Sequence, residues 1–251
     1  FVSKHNLELG KKLGLAKKEN LVYNGINQTV QNFYTSGEAR EKLKPHLNPP
    51  LASVLSEVEG KGRKNKTLPL GKGETEGVLN NSFLIGSIGR LAYQKNYEFL
   101  INIFPEILKI KPEAKAVIIG DGPKREEYKK MIQEKELEQR VVLAGSIGNA
   151  SRYLKAFDLF VLPSRYEGLS ITLIETLFAG VPVLASRVGG AEEMFPKEQL
   201  FELDNGEEFL QKFRRMIKED EREGIAHKEQ KKAEEFHIKN TVEEYLKLYS
   251  S

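Results

Sequence analysis

Phe157–Ser186 reads FDLFVLPSRYEGLSITLIETLFAGVPVLAS, and this stretch decides the fold. DLFVLP is a short apolar run with no polar alternation, so a strand there has no face to give to water. PSRYEG punctuates it, Ser170–Phe178 follows at helical spacing, and VPVLAS is a second apolar run. Strands without a polar face, joined through a helix, fit a parallel sheet covered on both sides.

The same alternation extends outward in both directions. SFLIGSIG (82–89) is a β-branched run closed by glycines and predicts a first buried strand. Asn96–Ile110 follows with apolar residues at helical spacing, and Pro105 is expected to bend or break that helix. KAVIIG (115–120) is a second strand, Pro123–Glu134 a polar helix, VVLAG (141–145) a third strand and Ala150–Phe157 a short helix. After the fifth strand come a short helix around Glu192 and a sixth strand in QLFEL (199–203). The last 45 residues are highly charged and helical in period. The expected class is α/β, a doubly wound parallel sheet.

Composition sets the boundaries. The chain has 251 residues, 39% hydrophobic and 30% charged, which suits a solvated globular domain rather than wholesale disorder. No apolar run reaches the roughly 18 residues of a membrane span. There is no Cys, which excludes disulfides, thiolate metal sites and cysteine nucleophiles together. The net charge of +3 is uneven: residues 1–81 carry 13 Lys/Arg against 8 Asp/Glu, whereas residues 82–251 carry 26 against 28. With no concentrated basic stripe over the ordered part, nucleic acid is not an expected partner. Asn48–Asn81 is rich in Gly, Lys and Glu, has no aromatic residue, and reads as a disordered insertion.

In a doubly wound sheet, ligands sit beyond the carboxyl ends of the strands. The loops there are GSIGRLAYQKN, GDGPK, GSIGN, PSRYEGLS and SRVGGAEE. Glycines recur where the backbone turns or approaches a ligand, and the helices that follow offer free amides to anions. A phosphate-bearing ligand is the expectation. Gly89, Arg90 and Lys95 follow the first strand, and a guanidinium fork beside an ammonium suits phosphate oxygens; two solvated cations on a loop are the plain alternative. Glu167 and Glu175 stand eight residues apart, the first in the loop and the second about a turn and a half into the helix. Gly168, Leu169 and Ser170 lie between them at the helix N-terminus. Glu175 falls in an apolar segment, where an unpaired buried carboxylate is costly. Turn formation accounts for Gly120–Pro123, and Gly189, Gly190 and Glu193 read equally as a turn or a ligand contact. No two of the four His stand at metal-ligand spacing; His227 and His237 are expected to be exposed. The absence of D-x-D, Walker A and G-x-G-x-x-G motifs argues against a metal-dependent sugar transferase of the other main fold, a P-loop NTPase and a nicotinamide dehydrogenase.

SIGRLAYQKNYEFLI, AVIIGDGPKREEY, VVLAGSIG, the Phe157–Ser186 stretch and VGGAEE, in this order, resemble the C-terminal half of family 4 retaining glycosyltransferases of the GT-B fold. VYNGIN, near Asn24, is similar to the family's lead-in from its N-terminal domain, and NTVEEYLKLY to its closing helix. The resemblance implies a domain order: a remnant of an N-terminal domain (1–23), a lead-in (24–47), the insertion (48–81), a nucleotide-sugar-binding domain (82–235) and a closing helix (236–251). It also implies roles. Arg90 and Lys95 match the residues that hold the donor diphosphate and stabilise it as it leaves. Glu175 matches the acid that accepts from the ribose, and Glu167 the acid facing the donor sugar. Gly168, Leu169 and Ser170 match backbone donors to phosphate and sugar, and Ser146 and Ile147 the place where the base is held. The departures are Asn96 after Lys95 where the family has Gly, Glu192 where a proline is common, the insertion, and a missing acceptor domain.

The resemblance thus implies a retaining transferase that takes sugar from a UDP- or GDP-linked donor, without metal or other cofactor, and passes it to a glycan or lipid-linked acceptor. It implies a cytoplasmic location, at the inner membrane face if the acceptor domain attaches there, and a fragment inactive alone. A nucleotide-sugar-binding module without activity, and an epimerase or phosphorylase-like GT-B enzyme, remain as alternatives.

Overall fold

The structure, a computed structural model, describes residues 3–12, 21–23, 25, 32–47 and 82–250. The expected insertion at 48–81 lies outside the described residues, as does half of the lead-in motif, of which Val22, Tyr23 and Gly25 are described.

Helices α1 (Lys4–Lys12) and α2 (Ser36–Leu47) precede the sheet. Then follow β1 (Phe83–Ile88), α3 (Tyr97–Ile110), β2 (Ala114–Ile119), α4 (Arg125–Glu134), β3 (Val141–Gly145), a 3-10 helix (Ala150–Ala156) and β4 (Leu159–Leu162). The chain continues as α5 (Ile171–Ala179), β5 (Val183–Ser186), α6 (Ala191–Met194), β6 (Leu200–Phe201), α7 (Gly206–Met216), α8 (Glu219–Ala233) and α9 (Ile238–Ser250). The six strands are parallel in the order β3-β2-β1-β4-β5-β6. The expected doubly wound α/β class is what the chain adopts.

Side-chain alternation along each strand builds two cores, one per face. On β1, Phe83 and Ile85 pack with α3, α4 and α7, while Leu84 packs with α5 and the 3-10 helix. Both faces are apolar, which is why the strands lack polar alternation. Helix α2 belongs to this body: Ala39 and Leu43 are fully buried in the second core. It starts with a reciprocal cap, in which the Thr35 amide donates to Glu38 Oε2 (2.9 Å) and the Glu38 amide to Thr35 Oγ1 (3.3 Å). The amide bond holds the Glu38 carboxyl below its ordinary range, with the hydroxyl adding to the effect. Arg40 then reaches across to Asp158 Oδ2 (2.7 Å), which also accepts from the Leu84 amide (2.7 Å).

Two local expectations change. Helix α3 runs through Pro105 to Ile110 unbroken, because Phe104 and Ile107 on either side are fully buried and hold it against the sheet. His237 is half buried rather than exposed, its ring 6.4 Å from that of Phe178, since the turn into α9 folds back on α5.

The far edge has an unusual closure. Strand β6 meets β5 only at Ala185 and Ser186, so side chains serve the backbone of Val183. Its amide donates to Glu229 Oε1 (3.2 Å) and its carbonyl accepts from Gln199 Nε2 (3.1 Å), while Gln199 also donates to Glu229. Glu229 is 4% exposed and its second oxygen has no partner among the described residues. Burial pushes its carboxyl up to about 8, against the opposing hydrogen bonds from Gln199 and Val183.

Candidate functional site

The strand order reverses between β1 and β4, so the chain leaves β1 toward one edge and β4 toward the other. A crevice opens at such a reversal, beyond the carboxyl ends of the two central strands. The loops that line it are Gly89–Asn96, after β1, and Pro163–Ser170, after β4.

The first loop forms a 3-10 turn, Tyr93–Lys95, ended by Asn96 in the left-handed region (φ 53°). Gly and Asn are the residues that adopt this conformation most readily. Asn in place of Gly after Lys95 therefore keeps the turn. The Lys95 stem lies over Gly89, where a Cβ would come within 3.1 Å of Lys95 Cε and 2.8 Å of the Tyr97 hydroxyl. Lys95 Nζ ends 2.6 Å from Glu167 Oε1. Both side chains are largely buried, at 15% and 8% exposure. Ser164 Oγ donates to the same carboxylate oxygen (2.6 Å). Burial raises the hydroxyl pKa of Tyr97; a hydrogen bond with Ser87 opposes this and the negative charge of Glu167 adds to it.

The second loop is pinned from below by the β5–α6 turn. Gly189 has φ 52°, and a Cβ there would lie 1.8 Å from the carbonyl oxygen of Glu167. The Gly190 amide donates to the Gly168 carbonyl (3.0 Å). This backbone contact explains the paired glycines. Glu193 turns elsewhere, accepting from the Tyr23 hydroxyl (2.9 Å) and the Lys4 amide (3.0 Å), so it docks the N-terminal segments. Burial and the Glu193 bond together push the Tyr23 hydroxyl up to about 12.

The structure thus brings Gly89, Lys95, Glu167 and Gly168 together. Arg90 is exposed at the mouth of the crevice, and its guanidinium has no ion-pair partner among the described residues. Leu169 and Ser170 are buried, and Ser170 is the N-cap of α5, so the first amides of that helix open toward the same loop. Glu175 is half buried on α5, not enclosed by the apolar run around it. Ser146 is exposed and Ile147 half buried against the core, beyond the outer strand β3 and apart from the Lys95–Glu167 contacts.

Sequence reasoning missed the residues that hold these two loops to each other. The Arg165 amide donates to the Gln94 carbonyl (2.8 Å), and Gln94 Nε2 donates to the Tyr166 carbonyl (3.0 Å). Arg165 lies within the PSRYEGLS loop, but nothing in those eight residues distinguishes a structural cation from a solvated one. Among the described residues, no group of three or more His, Asp or Glu gathers as a metal ion would need, and no helix is long and apolar enough to cross a membrane.

The family model for glycosyl transferases group 1 matches residues 74–236. The chain is 32% identical over 147 residues to an N-acetylgalactosaminyltransferase of Campylobacter jejuni that acts on a diphospho-undecaprenol-linked sugar, over 57% of this chain and 39% of that one. The structure superposes on TarM of S. aureus, solved with UDP, with a TM-score of 0.63 at 25% identity, covering 68% of this chain and 36% of that one. HepE of Anabaena, solved with UDP and glucose, shares the fold over 100% of this chain and 62% of its own, with a TM-score of 0.77 at 19% identity. The matched stretch is about a third of the length of the curated relatives (32%, 30% and 39%). Because the family match begins before β1 and ends in the turn before α9, it takes in the whole sheet and both loops of the strand-order reversal; the chain belongs to the glycosyl transferases group 1 family, its sheet folded as a Rossmann-like domain of the GT-B type.

Proposed function

We propose that this domain binds the donor of a retaining, family 4 glycosyltransferase: a nucleoside-diphosphate sugar, UDP- or GDP-linked, taken without a metal ion. The observation that carries the reading is the Lys95–Glu167 pair at the β1–β4 reversal, with the exposed Arg90 beside it and the α5 amides opposite.

In transfer, the bond between the anomeric carbon and the diphosphate oxygen breaks, and negative charge builds on the diphosphate. Arg90 and Lys95 meet that charge, and the N-terminus of α5 adds its amides through Gly168, Leu169 and Ser170. Glu167 faces the sugar while neutralising Lys95 from behind. Glu175, one to two turns along α5, accepts from the ribose hydroxyls, and the loop at Ser146 and Ile147 holds the base. The acceptor comes from a second domain across the crevice, as in the two-domain GT-B arrangement, and a lipid-linked acceptor is consistent with what the Campylobacter relative acts on.

Calorimetry with UDP, GDP, NAD and ATP in EDTA tests this. UDP or GDP binds more tightly than NAD or ATP, and Glu175→Ala weakens that binding by about 1–3 kcal/mol. Binding that needs Mg²⁺ overturns the metal-free assignment, and no binding of UDP or GDP overturns the donor reading.

A further inference from the structure

Arg165 is two residues before Glu167 and touches none of the candidate donor residues, yet it is the hub of a network joining three strand-end loops. Its guanidinium forks between two carboxylates: Nη2 donates to Glu98 Oε1 on α3 (3.0 Å) and Nη1 to Asp204 Oδ2 after β6 (3.0 Å). Its face lies on the Tyr93 ring, 4.6 Å from the centroid. Asp204, itself left-handed at φ 59°, takes a second bond from Asn96 Nδ2 (2.8 Å) on its other oxygen. Glu98 is fixed in turn by the Tyr128 hydroxyl (2.8 Å). Burial opposes ionisation of Glu98, but the bonds from Arg165, its own amide and Tyr128 outweigh it and hold the carboxyl below its ordinary range.

The geometry makes this network a gauge for the pair next to it. The residues at either end of the Lys95 turn, Tyr93 and Asn96, are held by Arg165 directly and through Asp204. The Glu167 loop is held by the backbone of Arg165 itself, whose amide bonds Gln94. We propose that Arg165 is a positioning residue that sets Lys95 and Glu167 against each other, and thereby fixes how much of the Lys95 charge is free for the donor diphosphate; this rests on the donor reading above. A planar fork is required, because two carboxylates on separate elements and an aromatic face are engaged at once. A lysine carries the charge but has one point of contact.

The test is a double-mutant cycle on the full chain. The coupling between Lys95→Ala and Glu167→Ala is measured by urea denaturation in the native background and in Arg165→Ala, Arg165→Lys and Asp204→Asn. The native pair is coupled by about fivefold or more in the unfolding constant, within the range for side chains in direct contact. At least half of that coupling, on a logarithmic scale, is lost with Arg165→Ala and with Arg165→Lys, and part of it with Asp204→Asn, whose half-exposed side chain can change with little effect on folding. A destabilising core control, Ile107→Val, leaves it intact. UDP titration supplies the second readout. Glu167→Gln raises UDP affinity by about threefold in the native background, as removal of a carboxylate beside Lys95 should, and has no such effect once Arg165 is Ala. Coupling that survives in Arg165→Ala, or in Arg165→Lys, overturns the proposal. Wild-type protein that shows the coupling but binds neither UDP nor GDP overturns the donor reading instead and leaves the positioning of the pair standing.

Discussion

Lys95 and Glu167 are 72 residues apart in sequence and 2.6 Å apart in space, and neither side chain is more than 15% exposed. The family resemblance gives them separate duties, one toward the diphosphate and one toward the sugar. Their contact makes each a determinant of the other, because a carboxylate at this distance takes up part of the ammonium charge that a phosphate would use.

Removing the cations therefore has unequal consequences. Arg90→Ala deletes an exposed guanidinium with no ion-pair partner among the described residues, so UDP affinity falls with no loss of stability. Lys95→Ala also lowers UDP affinity, by about 1.5–3 kcal/mol if a charge-assisted bond is lost, but it leaves Glu167 largely buried beside Ser164 and destabilises the fold as well. Calorimetry and urea denaturation on both variants check this. Equal stability losses in the two would contradict the difference in their surroundings.

Glu229 makes stability depend on pH. Its folded carboxyl is raised by burial to about 8, above an ordinary value of 4.5, so the folded state holds the proton more tightly than the unfolded chain. Stability is fully present below about 4.5, declines as pH rises toward 8, and is flat above, with a total change on the order of a few kcal/mol. Glu229→Gln keeps the bond to the Val183 amide and removes the ionisation. Its melting temperature exceeds that of the native chain at pH 8–9 and matches it near pH 5. A native profile that does not fall between pH 5 and 8 would rule out the assignment.

Arg40 ties α2 to the sheet through Asp158, which also holds the Leu84 amide. Arg40→Ala leaves that partly buried carboxylate with one partner fewer and costs about 1–3 kcal/mol of unfolding free energy. A loss under about 0.5 kcal/mol, the scatter expected of surface substitutions, would mean that residues 36–47 rest on the body without supporting it.

Gly189→Ala is the sharpest test of how the Glu167 loop is held. The added Cβ would meet the Glu167 carbonyl at 1.8 Å, and the residue's φ of 52° is unfavourable to any side chain. The loop must move, with a stability cost of about 2 kcal/mol or more and a loss of UDP affinity. Retained affinity at native stability would show that the turn and the loop adjust independently.

The four residues Val242, Tyr245, Leu246 and Tyr249 form an exposed apolar stripe along α9, with Tyr249 86% exposed. Leu246→Ser and Tyr249→Ser should each change stability by less than about 0.5 kcal/mol, and the pair should reduce self-association at high concentration in sedimentation. A cooperative loss of stability would mean that this face packs within the chain.

The sequence alone determined the sheet. Unbroken apolar strands alternating with amphipathic helices leave a parallel, two-sided arrangement as the way to bury both faces, and the glycine-bearing loops at strand ends mark where a ligand can reach backbone. Arg90, Lys95 and Glu167 stand out as candidates because they lie at those ends, and Glu175 because its carboxylate interrupts the apolar helix Ile171–Ala179. What the sequence did not contain was the strand order. Only the reversal between β1 and β4 makes neighbours of loops 72 residues apart, joining Lys95 to Glu167 and Arg165 to Gln94. Arg165, Asp204 and Glu98 come from three different loops and helices, and the spacing within any one of them carries no sign of the others. Likewise, Glu229 lies in a helix of low apolar content and reads as solvated; a β6 of two residues, too short to cover Val183, is what draws it into the core. Periodicity reports which face of an element is buried, whereas pairing between distant polar groups depends on where the folded backbone places them.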